Sequence, residues 1–235
     1  DSPEKMDRVR WVKEWFEVPE KYPNFKAMIW ENHATRVIQD GGVEEVWQDG
    51  KSMFATIKSG GSQIVKIGGN EDVTLSSGGI AISATVQNGG VQIVESLGTA
   101  EGTKLLSGGE QHIYTGGVAS DGFVYEAARQ FIFSGGKAYG TTLSGCYSED
   151  QVNTPNNARQ FIRGGVASDV VVRDWGRQIV SSGGSAFYTK VYNNGRINVR
   201  ADGYVEGAEL YAGGQENVSA GGKSFNTHRR NFILS

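Results

Sequence analysis

What this chain has little of excludes most familiar function classes. It holds one cysteine, Cys146, so an internal disulfide or a cysteine-rich zinc site is excluded. With no histidine near it in sequence, that thiol reads as structural rather than nucleophilic. Proline is down to 4 residues, too few for a collagen-like or Pro-rich disordered chain. The three histidines, His33, His112 and His228, are too scattered for a shared metal site. Lys and Arg total 23 against 26 Asp and Glu, a formal net charge of −3. That balance offers no basic field for a phosphate backbone, so nucleic acid is not an expected partner. No apolar run reaches the roughly 18 residues of a spanning helix, so direct membrane insertion by this chain is not expected. A secretory leader pattern is also lacking, which fits a cytosolic protein or a mature or trimmed fragment of an exported one.

Catalytic patterns are equally thin. Asp169 and Asp174 lie close in sequence, as do Glu149 and Asp150. Both pairs read as surface charge rather than as the paired carboxylates of a polysaccharide-cleaving enzyme. No Asp recurs in the glycine turns, as a calcium-binding nonapeptide repeat requires. The glycines recur too regularly for a phosphate loop, and no helix follows them. The expectation is a non-enzyme with no catalytic residue, no metal and no cofactor.

What is abundant is glycine, with 34 copies. Pairs reading GG, DG or NG punctuate the chain from Gly41 to Gly222 at alternating intervals of about 8 and 11 residues. Two half-units alternate between them. One reads G-x-Q-x-V, as in Gly61–Val65 and Gly176–Val180; the other reads G-x-A-x-x-T-x-V, as in Gly184–Val191. Together they make a period of about 19 residues.

Aligned, the units expose columns. An aliphatic column follows the first glycine: Val46, Val65, Val94, Ile113, Ile132, Ile162, Val180, Val199 and Val218. A second follows the other glycine: Ile57, Leu75, Val86, Leu105, Val124, Leu143, Val172, Val191 and Leu210. Ala81, Ala100, Ala119, Ala138, Ala167 and Ala186 form a small-residue column, and Ala55, Thr74, Ala84, Thr103, Thr141 and Thr189 another. Unbroken aliphatic columns between turns imply short strands stacked in register, with the small columns at tight corners. No helix survives a glycine pair at that spacing. The fold class expected is all-β, a right-handed parallel β-helix (a β-solenoid) of about ten coils and on the order of 45–50 Å long. Gln63, Gln92, Gln111, Gln130, Gln160 and Gln178 stand two residues before the first column, hence on the same strand face. They read as a buried amide ladder, with a ligand-binding amide stripe as the alternative.

Three departures break the period. Residues 69–79 and 79–90 read as two second-type half-units in tandem, with one first-type half missing. Between Cys146 and Asn157 about ten residues are added. They form a candidate binding loop carrying Tyr147, Glu149, Asp150, Asn153 and Asn156. At the N-terminus, Ser2-Pro3-Glu4 opens an expected short α-helix that Pro19 ends. Residues 1–36 are assigned to a helical and aromatic cap, 37–235 to the solenoid; an open solenoid end exposes core and strand edges. A docking helix for a partner or a membrane surface is the alternative. No matching cap closes the C-terminus, which points to a longer parent protein.

The motifs "SGGSQIVKIGG", "NGGVQIVESLG" and "WGRQIVSSGGSAFYTKVYNNG" resemble the passenger repeats of AIDA-type autotransporter adhesins, over roughly residues 40–227. That resemblance implies a β-helix at the bacterial cell surface, anchored to the outer membrane or secreted, that mediates adherence, autoaggregation or biofilm formation. It implies as partners a second copy, or a host-cell or glycan receptor. It further implies O-glycosylation by a protein heptosyltransferase, with Ser59, Ser77, Ser107, Ser134 and Ser182 as candidate acceptors. The aromatic N-terminus departs from that family's pattern. A carbohydrate-binding or -cleaving β-helix like a tailspike or lyase, and a plain spacer module, stay open as alternatives.

Overall fold

The computed structural model describes residues 26–28, 31–32, 36–46, 50–66, 78–95, 97–146 and 157–230. Every strand in it is parallel to its neighbours, and the strands fall into three sheets of ten. Each coil contributes one strand to each sheet, so the chain winds as a three-walled solenoid. The first wall holds the longest strands, such as Val91–Val94 and Arg129–Phe133. The second holds three-residue strands such as Thr99–Glu101, and the third mostly two-residue strands such as Lys104–Leu105.

The sequence columns map onto the walls. The Val46-to-Val199 column lies inside the first wall at 0% exposure, and Ile57 with the run from Val86 to Val191 lies inside the third at 0–1%. Alternation in most strands is set by the pleat, while Val43–Val46 and Arg177–Ser181 each bury three residues in succession. The alanine column from Ala81 to Ala186 lies along the second wall rather than at a corner. The corner between the second and third walls carries Ala55, Ala84, Thr103, Thr141 and Thr189, all buried. There the chain turns on a single residue of positive φ, for example Gly102, Asp121 or Asp169.

The other two corners use the glycine pairs. The first glycine of a pair takes positive φ, as Gly89 (φ 80) and Gly108 (φ 73) do. The second lies almost against the preceding coil. A Cβ on Gly109 would sit 2.2 Å from the Val86 carbonyl oxygen, and one on Gly117 would sit 2.2 Å from that of Val94. Coil-to-coil hydrogen bonding therefore demands the missing side chain there. Ala128 and Ala158 take the equivalent place at the other corner in two coils.

The amides form the expected ladder. Gln92, Gln111, Gln130, Gln160 and Gln178 each donate Nε2 to the Oε1 of the glutamine in the coil before, at 2.6–2.8 Å. Gln63 begins it by donating to Glu44 at 2.9 Å and to Ser52 at 3.0 Å. Thr103 and Thr189 donate a second hydrogen bond across the corner to Gln92 and Gln178, both at 3.0 Å. Ile197 follows Gln178 in register and ends it.

Strand pairing bears on two of the departures. Sheet pairing passes directly from Ile57 to Val86 and from Val65 to Val94. The coil thus takes Ile80–Ile82 and Thr85–Val86 as its second and third strands. The first of the two tandem half-units, with Thr74 and Leu75, lies outside the described residues, which omit 67–77. The copy after Gly79 joins the second and third walls. The first coil also begins earlier than the boundary at 37, since Lys26–Met28 and Glu31–Asn32 pair with Val43–Glu45 and Lys51–Ser52. The expected helix at residues 3–17 lies outside the described residues.

Candidate functional site: the flanks and corners of the coil

The interior is filled. Aliphatic side chains and the amide ladder occupy it at 0–2% exposure through the middle coils, so nothing binds within. What remains for recognition is the outer face of each wall and the corners.

The first wall presents three outward columns. Its middle column runs Ile64, Ile93, His112, Phe131, Phe161 and Ile179. His112 meets Phe131 edge-on at 5.0 Å, and Phe131 stacks on Phe161 at 5.0 Å and 9°. Beside them Tyr114 stacks on Phe133 at 4.7 Å. Each stack covers one face of each ring with its neighbour. Arg163 lies over Phe131 and Phe161 at 5.8 and 5.3 Å from the ring centres, within cation–π range.

The leading column of the same wall holds Arg129, Arg159, Arg177 and Arg196 in consecutive register. Sequence reasoning missed this row. Its signal was an Arg directly before the Gln or its equivalent, in "ARQF" twice, then "GRQI" and "GRIN". Arg129 pairs with Glu110 at 3.4 Å, and Glu110 also contacts His112 at 3.0 Å. Burial, and then the neighbouring Arg196 and Arg159 charges, hold the Arg177 guanidinium below its ordinary value.

The candidate serines split between two corners. Ser59 and Ser107 are exposed between the third and first walls, and Ser134 and Ser182 between the first and second. Their backbones tie coil to coil: the Ser107 carbonyl accepts from Asn88 at 2.8 Å, and that of Ser134 accepts from the Thr115 hydroxyl at 2.8 Å. Ser77 lies outside the described residues, as do Tyr147, Glu149, Asp150, Asn153 and Asn156 of the insertion. Where that insertion leaves the coil, Cys146, Asp174, Trp175, Asn193, Asn194, Ala212 and Gly213 line a shallow cleft of about 450 Å³. A hydrogen bond to the Glu126 carboxylate, followed by burial, raises the Cys146 thiol above its usual range. A raised thiol makes a poor nucleophile.

Asp169 and Asp174 stand at different corners, and Asp174 is paired with Arg173 at 3.6 Å. His112 and His228 share no metal-type cluster among the described residues. Nor, among those residues, is any helix long and apolar enough to cross a membrane.

On the third wall's outer side Tyr192 stacks on Tyr211 at 4.2 Å. The Tyr211 hydroxyl donates to Glu209 at 2.8 Å. That carboxylate, with Tyr192, pushes the phenol up to about 12.

No protein-family profile matches the chain, and no curated protein matches it. Among solved structures it is similar to the crystal structure of the TibC-catalyzed hyper-glycosylated TibA55-350 fragment. The two share 30% sequence identity over 87% of this chain and 89% of that one, with a TM-score of 0.46.

Proposed function

We propose that this chain is an adhesin-type passenger, a surface-displayed solenoid that binds through its flanks and carries no catalytic centre. One observation carries the reading. The interior is closed by stacked aliphatics and amides at 0–2% exposure, while the variation from coil to coil is spent on outward positions. A scaffold of that kind offers long, repetitive side surfaces, the geometry that suits adherence or self-association. The glycine-and-glutamine repeats resembling AIDA-type passengers point the same way. In this reading the chain stands on the bacterial surface or is secreted, and contributes to aggregation or biofilm formation. Its exposed turn serines, Ser59, Ser107, Ser134 and Ser182, are the sites where a heptosyltransferase would add sugar.

Beads coated with the folded chain test the proposal. They are expected to clump or to hold epithelial cells, and Phe131→Asp with Phe161→Asp on the first wall is expected to reduce that while the melting point stays near the parent's. Coated beads that neither clump nor hold cells would refute adhesion, and adhesion untouched by variants on all three walls would refute the flank. For the sugar, protein purified from its native host should carry added mass in multiples of one heptose. An unmodified mass from that host removes the modification and leaves the adhesion reading standing.

A further inference from the structure

We infer that the first wall carries a track for a linear anionic polysaccharide, one bearing carboxylate or sulfate groups, laid along the solenoid axis across the strands Arg159–Arg163, Arg177–Ser181 and Arg196–Val199. The inference rests on the flank being the binding surface, and it names what that surface takes.

The chain as a whole is acidic, with a net charge of −3. Yet these three adjacent strands and the residue after the last bring Arg159, Arg177 and Arg196 to one rim and Arg163 and Arg200 to the other. They hold five of the chain's 12 arginines and no carboxylate. Among the described residues none of the five is in an ion pair. The nearby acids are engaged or lie at corners: Glu110 with Arg129, Asp174 with Arg173, and Asp202 in the turn after Arg200.

Successive arginines on the leading rim stand on neighbouring strands, with backbones about 4.8 Å apart. Like charges that close repel, and the local relief is small. With its amide turned to satisfy both neighbours, Asn157 accepts from Arg177 Nε at 2.6 Å and Nη2 at 3.3 Å, and donates to the Trp175 carbonyl at 3.1 Å. That bond fixes the middle of the row but supplies no charge. Arg196 Nε is buried without a hydrogen-bond partner. An anion along the rim would relieve the repulsion, and guanidinium forks match carboxylate and sulfate oxygens in pairs.

Ring placement selects the class of polyanion. Single-stranded nucleic acids are held by stacking bases on open aromatic faces. Here the faces of Phe131 and Phe161 cover each other, and Arg163 lies over both. The edge of such a ring is the positive part of its quadrupole, which favours anions and not flat bases. A DNA duplex also carries a charge about every 1.7 Å, much denser than one arginine per coil. A polysaccharide with about one charge per sugar, running coil to coil, suits the sparser row.

Calorimetric titration of the full chain with four probes decides this: a size-defined heparin oligosaccharide, an oligogalacturonate, a dextran of similar length and an oligothymidylate. At least one of the two anionic glycans is expected to bind, weakening by about tenfold or more as salt is raised well above physiological strength, and dextran is expected not to bind. Arg159→Gln, Arg177→Gln and Arg196→Gln together should weaken glycan binding at least tenfold. Arg163→Gln with Arg200→Gln should weaken it less, and Lys104→Gln with Lys190→Gln on the third wall should not change it. Circular dichroism confirms that each variant is folded. Dextran binding as well as the anionic glycans, neither anionic glycan binding, oligothymidylate binding as tightly, or a triple variant within about twofold of the parent overturns the inference. Coated beads that still adhere when these titrations fail leave the flank reading standing without this ligand.

Discussion

At the residue scale the fold depends on two devices that a contact map would undervalue, the amide ladder and the crowded glycine. Gln111 illustrates the first. Its Nε2 donates to Gln92 at 2.6 Å, and its Oε1 accepts from Gln130 at 2.7 Å. Gln111→Leu keeps the volume but leaves the Gln130 amide without an acceptor in a dry interior. We expect a loss of about 2–3 kcal/mol in urea unfolding, and a loss under about 0.5 kcal/mol would mean that the ladder contributes little. Gly117 illustrates the second. Gly117→Ala drives a methyl group toward the Val94 carbonyl oxygen and should cost about 2 kcal/mol or more. Gly183→Ala meets open space and has only its φ of 78° to overcome, about 1 kcal/mol. Equal losses in the two variants would show that the second glycine is kept for backbone conformation alone. Both devices were legible in the sequence, because each recurs once per coil. The arginine row recurs at the same spacing but reads as ordinary surface charge until neighbouring coils are stacked and, among the described residues, Arg159, Arg177 and Arg196 are found outside any ion pair while Arg129 pairs with Glu110.

At the element scale each strand is too short to hold its own shape. A two-residue strand such as Phe123–Val124 exists because Leu105 and Leu143 lie directly beside Val124 in register. Val124 is 1% exposed, so Val124→Asp places a carboxylate where no partner is present. The cost should be on the order of 4 kcal/mol, lowering the melting point by roughly 10 °C. Lys137→Asp, at an exposed position of the second wall, should shift it by only a degree or two. Equal midpoints would refute the register. Strand positions and inward faces were readable from the columns because burial repeats every coil. Within residues 69–90 both half-units carry the glycine-to-aliphatic spacing, and strand pairing places the second of them, Ile80–Ile82 and Thr85–Val86, in the second and third walls. The alanine column was placed at a corner for a related reason. A small residue fits either a tight turn or a wall that lies close to the opposite side, and spacing alone does not separate the two.

At the scale of the whole molecule, the claim is that one coil is the unit of construction. Neighbouring coils supply nearly all of each coil's hydrogen bonds and apolar contacts, so stability should be close to a sum over coils and their interfaces. Function in this account follows from the same repetition. A closed interior and laterally aligned outward columns make a long binding face out of short motifs, and a charged column one coil apart makes a track. Excising residues 110–128 removes one 19-residue coil and joins Gly109 to Arg129. Gln130 then falls beside Gln92, Ile132 beside Val94 and Leu143 beside Leu105, so every inward column is restored. Excising only residues 110–119 puts the columns out of step instead. Thermal unfolding of the two variants, followed by circular dichroism, tests the construction directly. The whole-coil deletion is expected to melt cooperatively, with β-signal near the parent's and a midpoint within a few degrees of it, and the partial deletion to be unfolded or aggregated. A whole-coil deletion that fails to fold, or a partial deletion as stable as the whole-coil one, would contradict it.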